Sequence, residues 1–530
     1  SMSKVWLAAL AWLLPAPALA DNYVRTQFES WTAGDERGYG EFIASLGESG
    51  CRTVDRCLKS PANPFRASDP DGYSFRSDCA DLPYFLRFYY AWKRGLPFSN
   101  VSDVSPRGRS RDIRYSARGN QVEARHDVLS GDNAIRVLEN LRDQISSATY
   151  RIHPALEEPE NDLYSPAISP RGIHPGTVIY DPNGHLAIVW KIEADGRIRY
   201  IDAHPDNSLT RGYYDLRFVR ASPGMGAGFK NWRPSRLVDA DRARDGTLIG
   251  GHVVVASNAQ IADFALTQFF GTGPRLDDGD WKRGAFLLNG GGLDYYDYVR
   301  ASLSGGALHF DPLREIADMV VSNCADLGYR VDAVKLAQRA GLQNAPEPPR
   351  LPENIYGTEG DWETYSTPSR DARLKTAFKK VRDNAQRFMT LWQARDPRLN
   401  YRGFDLAGDM LAVYDRAAAR CSISYARSDG SRVLLTYEEA RRRLFRLSFD
   451  PYHCVERRWG AAGEEAQTCR DGPLNQHWYE AEQRLRNQID RSYEARMDFD
   501  LGDLESGQGG VAAPPDTDTR SYLAGQQKRR

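Results

Sequence analysis

Apolar positions recur along this chain with two different spacings, and the change of spacing divides it. Before about residue 240, short apolar runs alternate with turn-forming clusters. Residues 177–180, 185–192 and 197–202 read as three strands, separated by Asp181-Pro182-Asn183-Gly184 and by a loop ending in Asp195-Gly196. From Ser257 onward the spacing is mostly helical. Leu374, Ala377, Phe378, Val381, Ala385, Phe388, Met389 and Trp392 fall three and four residues apart, which predicts a helix with one apolar face. Thr436 and Glu439 form a capping-box start for a further helix carrying Leu444, Phe445 and Leu447.

These patterns predict an α+β domain over 21–240 and a helical region over 241–343. A Pro-rich linker follows at 344–370, then a helical C-terminal domain over 371–504. The Gly-, Pro- and polar-rich stretch 505–530 reads as a disordered tail. No internal repeat is present.

The first 20 residues have a different character. Lys4 precedes an apolar run at 5–14, and Ala18-Leu19-Ala20 follows, the order of a secretory signal peptide. The run is about ten residues, short of the roughly 20 a membrane-spanning helix needs. No later segment is long and apolar enough to span. The expectation is an exported protein, periplasmic or secreted, with its mature chain starting at Asp21.

Export changes how the seven cysteines read, since six can pair and one is left over. Cys51 with Cys57, and Cys454 with Cys469, are close in sequence; Cys324 with Cys421 then bridges two helical segments. Other pairings stay open to the sequence. This set leaves Cys79 as a free thiol, an oxidation hazard whose retention suggests use.

Composition narrows the function. Of 530 residues, 41% are hydrophobic and 27% charged, ordinary for a globular chain. Seventy basic against 71 acidic residues leave a net charge of -1, which gives no general attraction to nucleic acid or an anionic membrane. H-E-x-x-H and C-x-x-C are absent and the histidines are scattered, so neither a metal nor a cofactor is expected. Gly290-Gly291-Gly292 lacks the Lys and Ser/Thr of a phosphate loop and reads as a turn.

The chemistry gathers around Cys79. Ser77 or Asp78 can cap a helix running to Arg94, placing Cys79 in its first turn. There, unpaired N–H groups and the helix dipole favour a thiolate and can hold an oxyanion. Pro83 lacks an N–H, so that turn is distorted or starts later. Taken alone, Cys79 reads more readily as a buried structural thiol.

A base and a group to orient it lie downstream. His185, Ala187 and Val189 share one strand face. A four-residue loop at 193–196 would pair Asp202 with Ala187 and His204 with His185, bringing both onto that face with Asp202 diagonal to His185. A tighter turn moves Asp202 away. Strand parity therefore supports either as the third member. Asp202 is preferred, because a carboxylate fixes the imidazole tautomer and stabilises the imidazolium; His204 is the reserve.

Asp78-Cys79 at a helix start, Pro175-Gly176 before a strand, His185-Leu186-Ala187-Ile188 opening the next, and Asp202-Ala203 on the strand after resemble the papain-like cysteine enzymes of the NlpC type. The likeness covers about 73–207. Ala80-Asp81 replaces that family's Ser-Gly, and the long interval from Cys79 to His185 requires an insertion. Cys79-Ala80-Asp81 with Arg94-Gly95-Leu96-Pro97 is also similar to the transglutaminase-like branch of the same superfamily. The resemblance implies a helix-borne cysteine packed on an antiparallel sheet, with Cys79, His185 and Asp202 cleaving peptide or amide bonds, peptidoglycan stem peptides among them. The transglutaminase-like branch implies acyl transfer by the same three residues. The competing class is a non-catalytic envelope scaffold whose helical C-terminal half docks a protein partner, and a metal-dependent hydrolase ranks behind both.

Overall fold

A six-stranded antiparallel sheet organises the N-terminal half. The fold comes from a computed structural model that describes residues 22–156, 160–355, 360–365, 367–490 and 495–527; the stretch read as a signal peptide lies outside them. The strands are β1 (Leu163–Tyr164), β2 (Val178–Asp181), β3 (His185–Ile192), β4 (Ile198–Ala203), β5 (Leu209–Tyr213) and β6 (Gly228–Trp232). Their spatial order is β1-β6-β2-β3-β4-β5.

Both faces of this sheet are buried, so β3 reads as a nearly continuous apolar run rather than an alternating one. Leu186, Ile188, Trp190, Ile201 and Ala203 face a core shared with two helices, α1 (Ala33–Glu48) and α2 (Leu82–Arg94). Gly47 permits the close approach of α1, because a Cβ there would sit 2.3 Å from the Trp190 ring. Ala187, Val189, Ile198 and Tyr200 face the opposite core, closed by Phe218, Phe286, Tyr295 and Tyr298.

The C-terminal region is helical. Its main core lies between α3 (Pro312–Arg339), α4 (Thr367–Gln393) and a helix at Leu406–Ala419. The apolar face expected on α4 is buried from Leu374 to Met389, with Trp392 at its margin. Asp371 of α4 forms an ion pair with Arg330 of α3 at 2.7 Å, both side chains being 2% exposed.

Three disulfides join Cys51 to Cys57, Cys324 to Cys421 and Cys454 to Cys469, leaving Cys79 reduced. No described helix is long and apolar enough to cross a membrane.

Several boundaries differ from the sequence reading. Residues 241–343 carry short strands, including His252–Val255 and the hairpin Phe286–Leu288 with Gly291–Leu293, before the helices begin. The Pro-rich stretch is packed rather than free, since Leu351, Ile355 and Trp362 enter a core with Phe449, Tyr452 and Trp478. Within 505–530, expected to be disordered, Thr519–Gln527 is a helix whose Leu523 is fully buried, with Tyr522 packed beside it and Arg520 paired with Asp415. Thr436 does cap a helix, but it ends at Arg442, so Leu444 and Leu447 enter the core from the turn beyond.

Candidate active site

Cys79 lies in a turn, three residues before the first residue of α2. The helix starts later than the Ser77 or Asp78 cap predicts, with Asp81 at the cap position and Pro83 at the second helical residue, where its missing N–H costs nothing. The acids instead lock the turn. Asp78 Oδ1 accepts from the N–H groups of Ala80 at 3.0 Å and Asp81 at 3.2 Å. Asp81 Oδ1 accepts from Asp78 N–H at 3.0 Å, and its Oδ2 from Ser77 Oγ at 3.0 Å. Tyr150 donates its hydroxyl to the Ala80 carbonyl at 2.5 Å. The N–H groups of Ala80 and Asp81 are therefore already used, and of the expected oxyanion donors only that of Cys79 itself is not taken by Asp78.

This environment does not make a thiolate. Burial pushes the Cys79 thiol well above its ordinary range, and the negative charges of Asp78, Asp81, Asp202 and Glu363 push it further. The expected helix-dipole activation is outweighed by burial first and by the surrounding acids after it.

His185 follows the turn ending in Gly184, whose φ of +95° suits glycine. Its Nε2 lies 2.6 Å from Asp202 Oδ2. The loop between their strands is shorter than the four residues expected. Glu193 N–H bonds to the Arg197 carbonyl at 2.8 Å, and Ile192 pairs with Ile198. Continued unchanged, that register would set Asp202 opposite Ile188 and turn its side chain away from His185. A β-bulge at Trp190 absorbs one residue, so that Val189 pairs with Tyr200 and Ile188 with Ile201. Asp202 then stands opposite Ala187, diagonal to His185. The expected parity is reached by two compensating departures.

Asp202 is buried and ionised. Burial opposes ionisation, but the charge of His204, then the hydrogen bond with His185 and the charge of Arg373, hold the carboxyl well below the ordinary range. Burial first and Arg370 second push the His204 ring itself down to about 3. Thr210 Oγ1 donates to Asp202 Oδ1, and His204 Nε2 donates to Thr210 Oγ1 at 2.8 Å. His204 stands 3.8 Å from Asp202 Oδ2 and stacks on the His185 ring at 5.7 Å. Of the two candidates, it is Asp202 that meets His185.

An ionised Asp202 at 2.6 Å requires a proton between it and His185 Nε2. Arg373 Nη1, 2.8 Å from Nε2 and 3.1 Å from Asp202 Oδ2, accordingly donates to the carboxylate, while Nη2 donates to Tyr200 Oη at 3.0 Å.

Cys79, His185 and His204 line one cavity of about 170 Å³, room for the groups around one bond rather than for a whole polymer. Its far wall comes from the C-terminal half. Arg370 and Arg373 of α4 line it, as does Glu363 of the helix Gly360–Tyr365. Arg114 pairs with Glu363 at 2.9 Å and Arg370 with Asp206 at 3.2 Å. Sequence reasoning gave residues beyond about 240 no part here. Arg370 and Arg373 lie on the polar side of an amphipathic helix, and nothing in a single sequence separates them from solvated charges.

Cys454, Glu456 and Cys469 also lie together, but the two sulfurs are joined and Glu456 accepts from Ser428 and Thr468. A buried group of Glu347, Asp450 and His453 lies apart from the cavity. No family model matches the chain, and no curated protein or solved structure is significantly similar to it.

Proposed function

We propose that this chain is an exported thiol hydrolase of papain-like, NlpC-type design, cleaving peptide or amide bonds in the cell envelope. The observation that carries the reading is the 2.6 Å contact of His185 Nε2 with Asp202, on the wall of the cavity that also holds Cys79. Asp202 fixes the tautomer that leaves Nδ1 basic. In the reaction, Cys79 Sγ attacks the carbonyl carbon as its proton passes to His185 Nδ1, giving a tetrahedral adduct. The adduct collapses, the C–N bond breaks and His185-H⁺ protonates the departing amine. Water, deprotonated by His185, then cleaves the thioester and frees the acid and the thiol.

Because burial and the surrounding acids keep the thiol protonated, proton transfer accompanies attack instead of preceding it. The three disulfides suit an oxidising compartment. Peptidoglycan stem peptides are the substrate class the resemblance suggests, and an amine in place of water would give acyl transfer at the same residues.

The raised thiol favours one competing reading, a non-catalytic envelope scaffold in which Arg373 permanently closes the site. Purified peptidoglycan incubated with the full-length protein separates the two. Hydrolysis releases new amino termini, and Cys79→Ala abolishes the release. No release by the wild type, or undiminished release by Cys79→Ala, contradicts the proposal.

A further inference from the structure

Far from the Cys79 cavity, three carboxylates and an imidazole converge in the interior of the C-terminal half. Glu347 comes from the Pro-rich crossing segment, Asp450 and His453 from the Asp-Pro-Tyr-His turn, and Glu482 from the junction of the helices Pro473–Ala481 and Gln483–Asn487. All four side chains are 0–1% exposed.

Apart from the contact between the Glu347 and Asp450 carboxyls, their partners are missing. Both oxygens of Glu347, both of Glu482, Oδ2 of Asp450 and Nε2 of His453 are buried without a hydrogen bond. Among the described residues, no lysine or arginine forms an ion pair with any of the three acids. Arg457, the nearest candidate by sequence, binds Asp471 at 2.9 Å, and Arg486 donates to Tyr479 and Gln483. Arg486 acts on Glu482 only through its charge, without an ion-pair contact, and buried carboxylates with so little compensation would cost several kcal/mol each.

The geometry suits a common centre better than pairwise bonds. His453 Nε2 stands 3.4 Å from Asp450 Oδ2, 3.6 Å from Glu482 Oε1 and 3.7 Å from Glu347 Oε2, each too long for a good hydrogen bond. Ligand atoms on metal bonds of about 2.0–2.1 Å stand about 3.3 Å apart at the corners of a tetrahedron. The orienting contacts are also present. His453 Nδ1 meets Ser448 Oγ at 2.7 Å, and Tyr452 N–H at 2.9 Å fixes Asp450 Oδ1, which leaves Nε2 and Oδ2 directed into the cluster.

The geometry points to a structural site for one divalent first-row metal ion, held by Glu347, Asp450 and His453, whose ligand atoms all lie within 4.8 Å of one another, with Glu482 beside them. Two carboxylates and one imidazole, with no sulfur, fit Zn²⁺, Mn²⁺ or Fe²⁺. The ion would pin the Pro-rich segment to the 450–482 region. Tyr452 ties that region to Asp361 by a 3.1 Å hydrogen bond, two residues from Glu363 on the cavity wall.

The test is independent of any enzymatic activity. Elemental analysis of the full-length protein, grown with Zn²⁺ and Mn²⁺ supplied, is expected to find about one ion per chain. Dialysis against a chelator is expected to remove it and lower Tm, and ZnCl2 or MnCl2 alone to restore both. Glu347→Gln and His453→Gln are expected to lose at least nine-tenths of the bound metal. Should either variant not fold, X-ray absorption on the wild type is expected to give oxygen and nitrogen neighbours with one imidazole and no sulfur. Metal-free wild type with a Tm indifferent to chelator and added metal would overturn the site, leaving carboxyls held neutral by protons. Bound metal that both folded variants retain, or sulfur in its coordination sphere, would overturn it equally.

Discussion

Asp202 reaches His185, at 2.6 Å, only because Trp190 forms a bulge. The three-residue loop at 194–196 leaves the two strands one residue out of step with the pairing that joins them. The bulge restores it just before the site. A side chain two strand positions from the bulge thus owes its face to a local irregularity, a use of bulges that recurs beside active sites.

If Asp202 orients the base, Asp202→Asn lowers kcat by about 10²–10⁴-fold while His204→Gln lowers it less than about tenfold. Steady-state rates of the two variants on the same peptidoglycan substrate check this. Equal losses would return His204 to the role.

The state of the thiol has a direct signature. Its folded pKa is raised, so the thiolate is scarce at neutral pH and grows only as pH rises past the ordinary thiol range. Iodoacetamide labelling of Cys79, followed by peptide mass spectrometry in the absence of substrate, is expected to be slow at pH 7. It should still be climbing at about pH 9, above the ordinary thiol pKa. A plateau already reached near pH 6 would mean a preformed ion pair.

The wall contributed by α4 rests on Arg330 and Asp371. This pair is fully buried and bidentate, and Arg330 also donates to the Ser448 carbonyl at 3.0 Å. Removing one partner strands the other charge, so Asp371→Ala is expected to destabilise the protein by about 3–5 kcal/mol, read by denaturant unfolding.

Cys324–Cys421 closes the longest loop, 97 residues apart in sequence. The double substitution to serine is expected to cost about 2–5 kcal/mol by the same measurement, more than loss of the six-residue Cys51–Cys57 loop.

Much of this was legible in the residues, and the failures have physical causes. The α4 face from Leu374 to Met389 follows from spacing alone, because one packed stripe dictates it. His185 and Asp202 were readable through strand parity, although the loop was a residue shorter and a bulge compensated. The state of Cys79 was not readable. Helix-start reasoning counts a dipole but not burial, the largest cause of the raised thiol; Asp78 and Asp81 are adjacent in sequence, whereas Asp202 and Glu363, 123 and 284 residues away, are brought to it only by the fold. Arg373 escaped for the same reason. Leu523 and Tyr522 show how two packed side chains, with an ion pair at Arg520, can order a stretch whose average composition reads as disordered.

The most direct test of the Cys79–His185–Asp202 account is intact-protein mass spectrometry of enzyme acid-quenched during turnover of peptidoglycan stem peptides. The account predicts a covalent adduct equal in mass to the acyl half of the cleaved substrate less water, mapped to Cys79 and absent in Cys79→Ala. Turnover that persists in Cys79→Ala with no covalent species at any quench time would contradict it.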